Sequence, residues 1–387
     1  MRPDARIAAA IEILDDILAG APAERCLTTW GRRHRFAGSG DRGAIRDLVF
    51  DALRRKRSLG WLGGGSNGRA LMIGAARAAD KSLDALFTGA EYGPPVLSTA
   101  EREAGRRIGD APEAVRLDCP DALWPELKAA YGEEAEAILT AMQDRAPVFL
   151  RVNRMKGTRE DAVTLLGSED VTAQAHPLSD SALEVTENAR WIQNTRAYRK
   201  GYVELQDAAS QAVVDQCRAY FGAGEVLDYC AGGGGKALAM AAAGASTVAA
   251  HDAEPRRMAD IPARAARAGV GINVVTDVNG QFDLVLCDAP CSGSGAWRRQ
   301  PDAKWRLDDA GLAALTRIQD DILDRAVRFV RPGGTLAYAT CSLLPIENMA
   351  RATGFLSRHP EWHMVRDRQW TPLDGGDGFF LACFQRS

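Results

Sequence analysis

Residues 225–252 read EVLDYCAGGGGKALAMAAAGASTVAAHD, and within this stretch the texture changes three times. Glu225 to Tyr229 predicts a strand and Gly232 to Gly235 a glycine loop. An Ala-rich helix follows, then a second strand over Thr247 to Ala250 that ends at Asp252. A strand entering a glycine loop and a helix makes a pocket of the nucleotide type. Glycine lets a ligand approach the backbone, and the helix N-terminus offers unpaired amides. Downstream the alternation continues. Ile272 to Thr276 predicts a third strand ending at Asp277, and Phe282 to Cys287 a buried fourth ending at Asp288. Leu312 to Val330 has helical spacing, and Pro332-Gly333-Gly334 predicts a turn into a strand over Thr335 to Thr340. Strands alternating with helices imply an α/β fold with a mostly parallel sheet and right-handed crossovers. Ligands of such sheets bind at the carboxyl ends of the strands, where the notable residues fall.

Upstream, residues 1 to about 140 predict helices. Ile7, Ile11, Leu14 and Leu18 recur at helical spacing, and Asp41 to Arg57 carries Ile45, Leu48, Val49, Ala52 and Leu53 on one face. The run Gly60 to Gly68 predicts a break between helices. From Pro147 the texture changes again: Val148 to Asn153 reads as a strand, and a small α+β module extends to about Tyr202. Three parts are therefore expected, residues 1–140, 141–203 and 204–387, in keeping with a length of 387 residues.

No run of about 18 apolar residues occurs, and no basic, apolar and small-residue segments succeed one another at the N-terminus. A cytoplasmic protein without membrane association is expected, acting as a monomer. The eight cysteines are scattered and read as reduced thiols. Cys287 and Cys291 have no second pair of Cys or His at matching spacing, so no metal site is expected. Net charge is −3, but the basic residues cluster. One group runs through Arg32, Arg33, Arg35, Arg42, Arg46, Arg54, Arg55, Lys56, Arg57 and Arg69. A second comprises Arg145, Arg151, Arg154, Lys156 and Arg159, and a third Arg298, Arg299, Lys304 and Arg306. Such clusters suit a phosphate backbone.

A phosphate-binding P-loop would need Gly at position 230 and Ser or Thr at 237, where Cys230 and Ala237 stand, so that reading fails. Asp252, at the end of the second strand, suits the ribose hydroxyls of a dinucleotide or of S-adenosylmethionine equally well. Asp277 is a candidate acceptor for an adenine amino group. The sequence Asp288-Ala289-Pro290-Cys291 follows the fourth strand and Thr340-Cys341 the fifth, which sets both cysteines at one edge of the sheet. Carbon 5 of a cytosine is a poor nucleophile until a thiolate adds at carbon 6. An acid near ring nitrogen 3 and a base for the carbon-5 proton complete the requirement. Two cysteines and an aspartate match it, and Lys236 is a cation suited to favouring a thiolate. These residues alone do not rank the two cysteines. A nicotinamide dehydrogenase would give paired cysteines no role.

From about residue 146 onward the chain resembles the RsmB/Nol/Sun family of RNA cytosine-5 methyltransferases. The matching stretches are LRVN (150–153), QDAASQ (206–211), VLDYCAGGGGKA (226–237) and FDLVLCDAPCSGSG (282–295). RRQPDAKW (298–305), RPGGTLAYATCSLLPIEN (331–348) and DGFFLACF (377–384) follow in the same order. The resemblance implies S-adenosylmethionine as cofactor, Cys341 as nucleophile, and Cys291 as the residue assisting product release. It implies that Asp288 contacts cofactor and cytosine. Cys230, Ala231, Gly232, Gly233, Gly234, Gly235 and Lys236 would hold the methionine part, with Asp252 at the ribose and Asp277 at the adenine. Where the family loop reads Cys-Ala-Ala-Pro-Gly-Gly-Lys-Thr, this chain carries Gly232, Gly233 and Ala237. Losing the proline costs about 1 kcal/mol of preorganisation. Residues 35–57 resemble the NusB-like helical domain of bacterial members that act on small-subunit ribosomal RNA, which makes that RNA the expected substrate. Transfer RNA, or a catalytically silent RNA-binding assembly role, are the alternatives. The middle module would be an RNA-binding extension, and a paired cytosine would have to be unstacked to react.

Overall fold

A computed structural model describes residues 1–386, which divide into two compact units: 1–145 with 297–306, and 146–296 with 307–386. The second unit holds two sheets. Strands β1 (Val148–Val152), β2 (Thr172–Ala175), β3 (Ala182–Glu187) and β4 (Val203–Leu205) form an antiparallel sheet in the order β2-β3-β1-β4. The helix Arg159–Gly167 contributes to its core, where Leu150, Leu166, Val171 and Leu183 are fully buried. A Thr158–Asp161 capping box starts that helix.

The larger sheet contains β5 (Glu225–Asp228), β6 (Thr247–Ala250), β7 (Asn273–Val274), β8 (Phe282–Asp288), β9 (Val330–Thr340), β10 (Trp362–Trp370) and β11 (Phe379–Arg386). Their order is β10-β11-β9-β8-β5-β6-β7. From β9 through β7 the pairing is parallel, and the β10–β11 hairpin adds antiparallel to β9. The order reverses between β5 and β8, and a crevice for ligand opens at such a switch point. Apolar cores lie on both faces, which explains the uninterrupted Leu284 to Cys287 run of β8. Leu284 and Leu286 pack with the helices Ala208–Phe221 and Gly235–Ala242, while Val285 and Cys287 pack with Asp309–Ala326 and Met349–Arg358.

Several expected boundaries need correction. The third strand is Asn273–Val274 only, because the exposed segment around it gives a longer strand nothing to bury. The helix before β9 stops at Ala326 and finishes in a 3₁₀ turn, Val327–Phe329. Pro332-Gly333-Gly334 is not a turn outside the strand but a bulge within β9. Phe282 pairs with Val330 and Leu284 with Thr335, so residues 331–334 loop out between them.

The first unit is helical from Pro3–Leu18 through Glu134–Ala141. The glycine run at 60–68 is not wholly a break. Lys56–Gly63 is a helix, and Gly68–Ala78 follows after four residues with Asn67 as its N-cap. The glycines let these helices touch: a Cβ on Gly63 would lie 1.8 Å from the Ala70 carbonyl oxygen, and one on Gly74 would lie 1.9 Å from that of Leu59. Residues 297–306 pack in this unit through the short helix Pro301–Lys304. Trp305 Nε1 donates to the Leu53 carbonyl at 2.7 Å, and Arg54 Nε donates to that of Arg298 at 2.6 Å.

Only part of the three basic clusters is free to face phosphate. Arg54, Arg151, Arg298 and Lys304 are buried, and burial pulls the Lys304 ammonium down to about 8. Arg46 pairs with Glu24, Arg57 with Asp121, Arg69 with Glu101 and Arg306 with Asp302. No helix among the described residues is long and apolar enough to cross a membrane, and none of their Cys, His, Asp and Glu side chains form a group that could hold a metal.

Candidate active site

β5 delivers Asp228 to the crevice, and the chain then turns through Cys230 to Gly234 into the helix Gly235–Ala242. Gly232 (φ +49°) and Gly234 (φ +78°) take left-handed conformations, and a Cβ on Gly234 would meet Ile261 at 2.7 Å. The loop lacks the family's proline, yet it is held from outside. Gly232 N–H donates to Asp252 Oδ2 at 2.9 Å, and the Arg264 guanidinium donates to the Gly233 carbonyl. Asp252 also accepts from Glu254 N–H and pairs with Arg257 at 3.1 Å. From the strand side, buried Arg151 of β1 donates to Gln206 and, at 2.7 Å, to the Gly235 carbonyl.

Lys236, on the first turn of this helix, reaches Asp288 at the end of β8 (Nζ–Oδ2 2.6 Å) and lies 4.9 Å from the Phe379 ring. Burial alone would pull the Lys236 ammonium down. The charge and hydrogen bond of Asp288, with Asp228 and Cys341 also near, hold it above its ordinary value. Cys291 and Cys341 meet at the ends of β8 and β9, with sulfurs 3.4 Å apart. The hydrogen bond to Cys341, reinforced by burial, pushes the Cys291 thiol well up. Cys230 is also pushed well up, by burial first and by the charges of Cys287, Asp228 and Asp288 after it.

Of the residues singled out from sequence, Lys236, Asp288, Cys291 and Cys341 come together, and Gly232 joins Asp252. Asp277 stands apart, exposed beyond the end of β7, with Thr276 Oγ1 as its hydrogen-bond donor at 3.4 Å. Cys217, Cys287 and Cys383 are core residues.

Sequence reasoning missed the supports of the cysteine pair. Glu347 is fully buried; Oε2 accepts from Ser292 and Ser342 hydroxyls at 2.5 Å, and Oε1 from Ser292 N–H and Gln319. Asn348 ties Thr340, the Ser342 carbonyl and Gln369 together. Each lies in a quoted stretch, and the signal was an acid and an amide among apolar residues just past a buried strand. Asp228 was missed too. It is 1 % exposed, and its pKa is raised to about 7. Burial is the main cause, followed by the charge of Asp288.

These groups fit S-adenosylmethionine. The buried carboxyl of Asp228 beside the glycine loop suits an ammonium, the helix N-terminus suits a carboxylate, and Asp252 suits ribose hydroxyls. The strand order, with its antiparallel hairpin at one edge, is that of the α/β methyltransferases that use this cofactor. Residues 222–384 match the family model of 16S rRNA methyltransferase RsmB/F, and residues 119–190 that of the RsmF/B-like ferredoxin-like domain. The chain belongs to this RsmB/F family. Ribosomal RNA small subunit methyltransferase B of Photorhabdus laumondii is 33% identical over 281 residues, which cover 68% of this chain and 65% of that protein. The chain thus spans about two thirds of the curated relatives' length. Two solved structures from Pyrococcus horikoshii share the fold. A methyltransferase homologue has TM-score 0.62 and 23% identity, over 75% of this chain and 100% of that one. NSun6 with SFG has TM-score 0.61 and 17% identity, over 69% and 98%.

Proposed function

We propose that the protein is an S-adenosylmethionine-dependent RNA methyltransferase that forms 5-methylcytosine in small-subunit ribosomal RNA. The observation that carries this reading is the Cys291–Cys341 pair, 3.4 Å between sulfurs, beside the Lys236–Asp288 ion pair. The names of the curated relatives support the RNA class.

In this reading Cys341 is the nucleophile. Its thiolate adds to cytosine carbon 6, and the ring π electrons move onto carbon 5. Asp288 orients the ring through its exocyclic amino group, and the Lys236 ammonium beside it offsets the negative charge that spreads onto ring nitrogen 3. The cofactor supplies an electrophilic methyl group at carbon 5. A base from solvent takes the carbon-5 proton, the electrons of that C–H bond restore the double bond, the carbon–sulfur bond breaks, and Cys341 leaves as thiolate. Cys291, whose sulfur lies 3.4 Å from that of Cys341, assists that release. Residues 230–236 would contact the methionine part of the cofactor, Asp252 the ribose and Asp277 the adenine. Residues 1–140 would serve as a helical RNA-binding domain, 141–203 as a small RNA-binding module and 204–387 as the catalytic domain, in a cytoplasmic monomer.

The test uses the full chain, methyl-labelled cofactor, and unmodified small-subunit ribosomal RNA or transfer RNA. Label in 5-methylcytidine from the ribosomal substrate, absent with Cys341→Ala, is expected. Label in another nucleoside, or in transfer RNA alone, contradicts the reading.

A further inference from the structure

Eight of the ten N-terminal basic residues fall into two sets once their contacts are known. Arg42, Arg46, Arg54, Arg57 and Arg69 are engaged by protein acceptors. Arg32, Arg33 and Arg35 are exposed, and among the described residues none of them has a hydrogen-bond or ion-pair partner. Arg32 and Arg33 close the helix Ala23–Arg33 and Arg35 follows it; Trp30, His34 and Phe36 of the same stretch line, with Tyr92, a cavity of about 660 Å³.

The aromatic side chains form a ladder. Trp30 and His34 stack with ring centroids 4.4 Å apart, and Phe36 meets His34 edge-on at 5.8 Å. Phe36 is 71% exposed and Tyr92 75%, an arrangement that leaves their faces to solvent at a hydrophobic cost. Trp30, by contrast, is 6% exposed and its indole Nε1 is buried without an acceptor. Exposed Glu12 and Glu91 also line the cavity.

We propose that this cavity binds an unpaired nucleobase of single-stranded RNA, with Phe36 and Tyr92 as stacking faces and Arg32, Arg33 and Arg35 on the adjoining phosphates. An aromatic platform beside uncompensated guanidinium groups is the combination that single strands require. The carboxylates of Glu12 and Glu91 would accept from exocyclic amino groups, which favours amino-bearing bases. A cationic peptide would suit the rings and the two glutamates, but it would meet three unpaired arginines. The proposal deepens the RNA-methyltransferase reading by locating an RNA contact within the helical unit.

The test measures anisotropy of a labelled, mixed-sequence, single-stranded 12-mer RNA with the full chain across a salt series. Phe36→Ala with Tyr92→Ala should weaken binding about tenfold at every salt concentration and leave the salt slope unchanged. Phe36→Trp should bind like the parent. Replacing Arg32, Arg33 and Arg35 with Gln should reduce the slope of log K against log salt by about 2. An abasic 12-mer should bind the parent and the Phe36/Tyr92 variant alike. All altered side chains are exposed, so melting temperatures should stay constant and loss of fold is detectable. Equal binding by the parent and the Phe36/Tyr92 variant overturns the proposal. So does loss of affinity for an arginine-rich peptide with RNA affinity intact. Methyl transfer by the same protein preparations to unmodified small-subunit ribosomal RNA, with labelled cofactor added, separates the two readings: a parent that binds the 12-mer as described but transfers no methyl to that RNA refutes the enzymatic reading alone.

Discussion

Asp228 provides a quantitative test of the site's electrostatics. Its carboxyl is buried at the end of β5, and its pKa is raised to about 7. Burial dominates, Asp288 and Asp252 add to it, and Lys236 opposes it. A carboxyl whose folded pKa exceeds its unfolded value favours folding when protonated. Its contribution is therefore fully present below the unfolded value of 3.8 and is lost as pH rises through 7. Integrating the proton uptake from pH 5 to pH 8 gives a loss of roughly 2–3 kcal/mol from this group. Asp228→Asn removes the titration. It leaves a buried amide that costs about 1–3 kcal/mol at every pH, so only the pH dependence isolates the carboxyl. Urea unfolding of both proteins at pH 5 and pH 8, without cofactor, reads it. The parent should lose roughly 2–3 kcal/mol more than the variant over that interval. Parallel stability profiles for the two proteins would refute the assignment of a neutral, desolvated Asp228.

Three further outcomes follow from particular contacts. Gly74→Ala drives a Cβ to 1.9 Å from the Leu59 carbonyl oxygen and should destabilise the helical unit by about 1–3 kcal/mol, read by thermal melting. Lys236→Met removes the partner of Asp288 and the cation near Cys341. Single-turnover methyl transfer should fall roughly 100-fold, with RNA affinity in a binding assay within about twofold of the parent. Lys304, whose ammonium burial pulls down from 10.5 to about 8, penalises folding below pH 8, and the penalty fades as pH rises toward 10.5. Lys304→Met should therefore raise the melting temperature at pH 7 and show a smaller gain at pH 9.5.

The catalytic sheet was legible in the sequence because its strands are buried on both faces and end in polar residues. Thr247 to Ala250 matches β6 residue for residue, and Asp288, Cys291 and Cys341 stood out as reactive groups closing apolar runs. Periodicity carries no information about which side of the helix Gly235–Ala242 faces β8, so the Lys236–Asp288 bond was not readable beyond the presence of a cation. Asp228 escaped notice because an acid at a strand end looks the same whether it is solvated or desolvated. Arg298 and Lys304 were misread for a related reason. A basic cluster suggests a solvated face, yet residues 297–306 turn inward against Ser39–Arg54, where backbone carbonyls of Arg54 and Leu53 take their donors. The glycines at 60–68 signalled a break, whereas Gly63 serves helix contact.

The central claim is the division of labour between the two cysteines, and trapping the covalent intermediate tests it most directly. Parent, Cys291→Ala and Cys341→Ala proteins are incubated with cofactor and unmodified small-subunit ribosomal RNA, resolved under denaturing conditions, and the adduct is mapped by mass spectrometry. The account predicts that Cys291→Ala accumulates a protein–RNA adduct through Cys341, and that Cys341→Ala forms none. An adduct through Cys291 in the Cys341→Ala protein would contradict it.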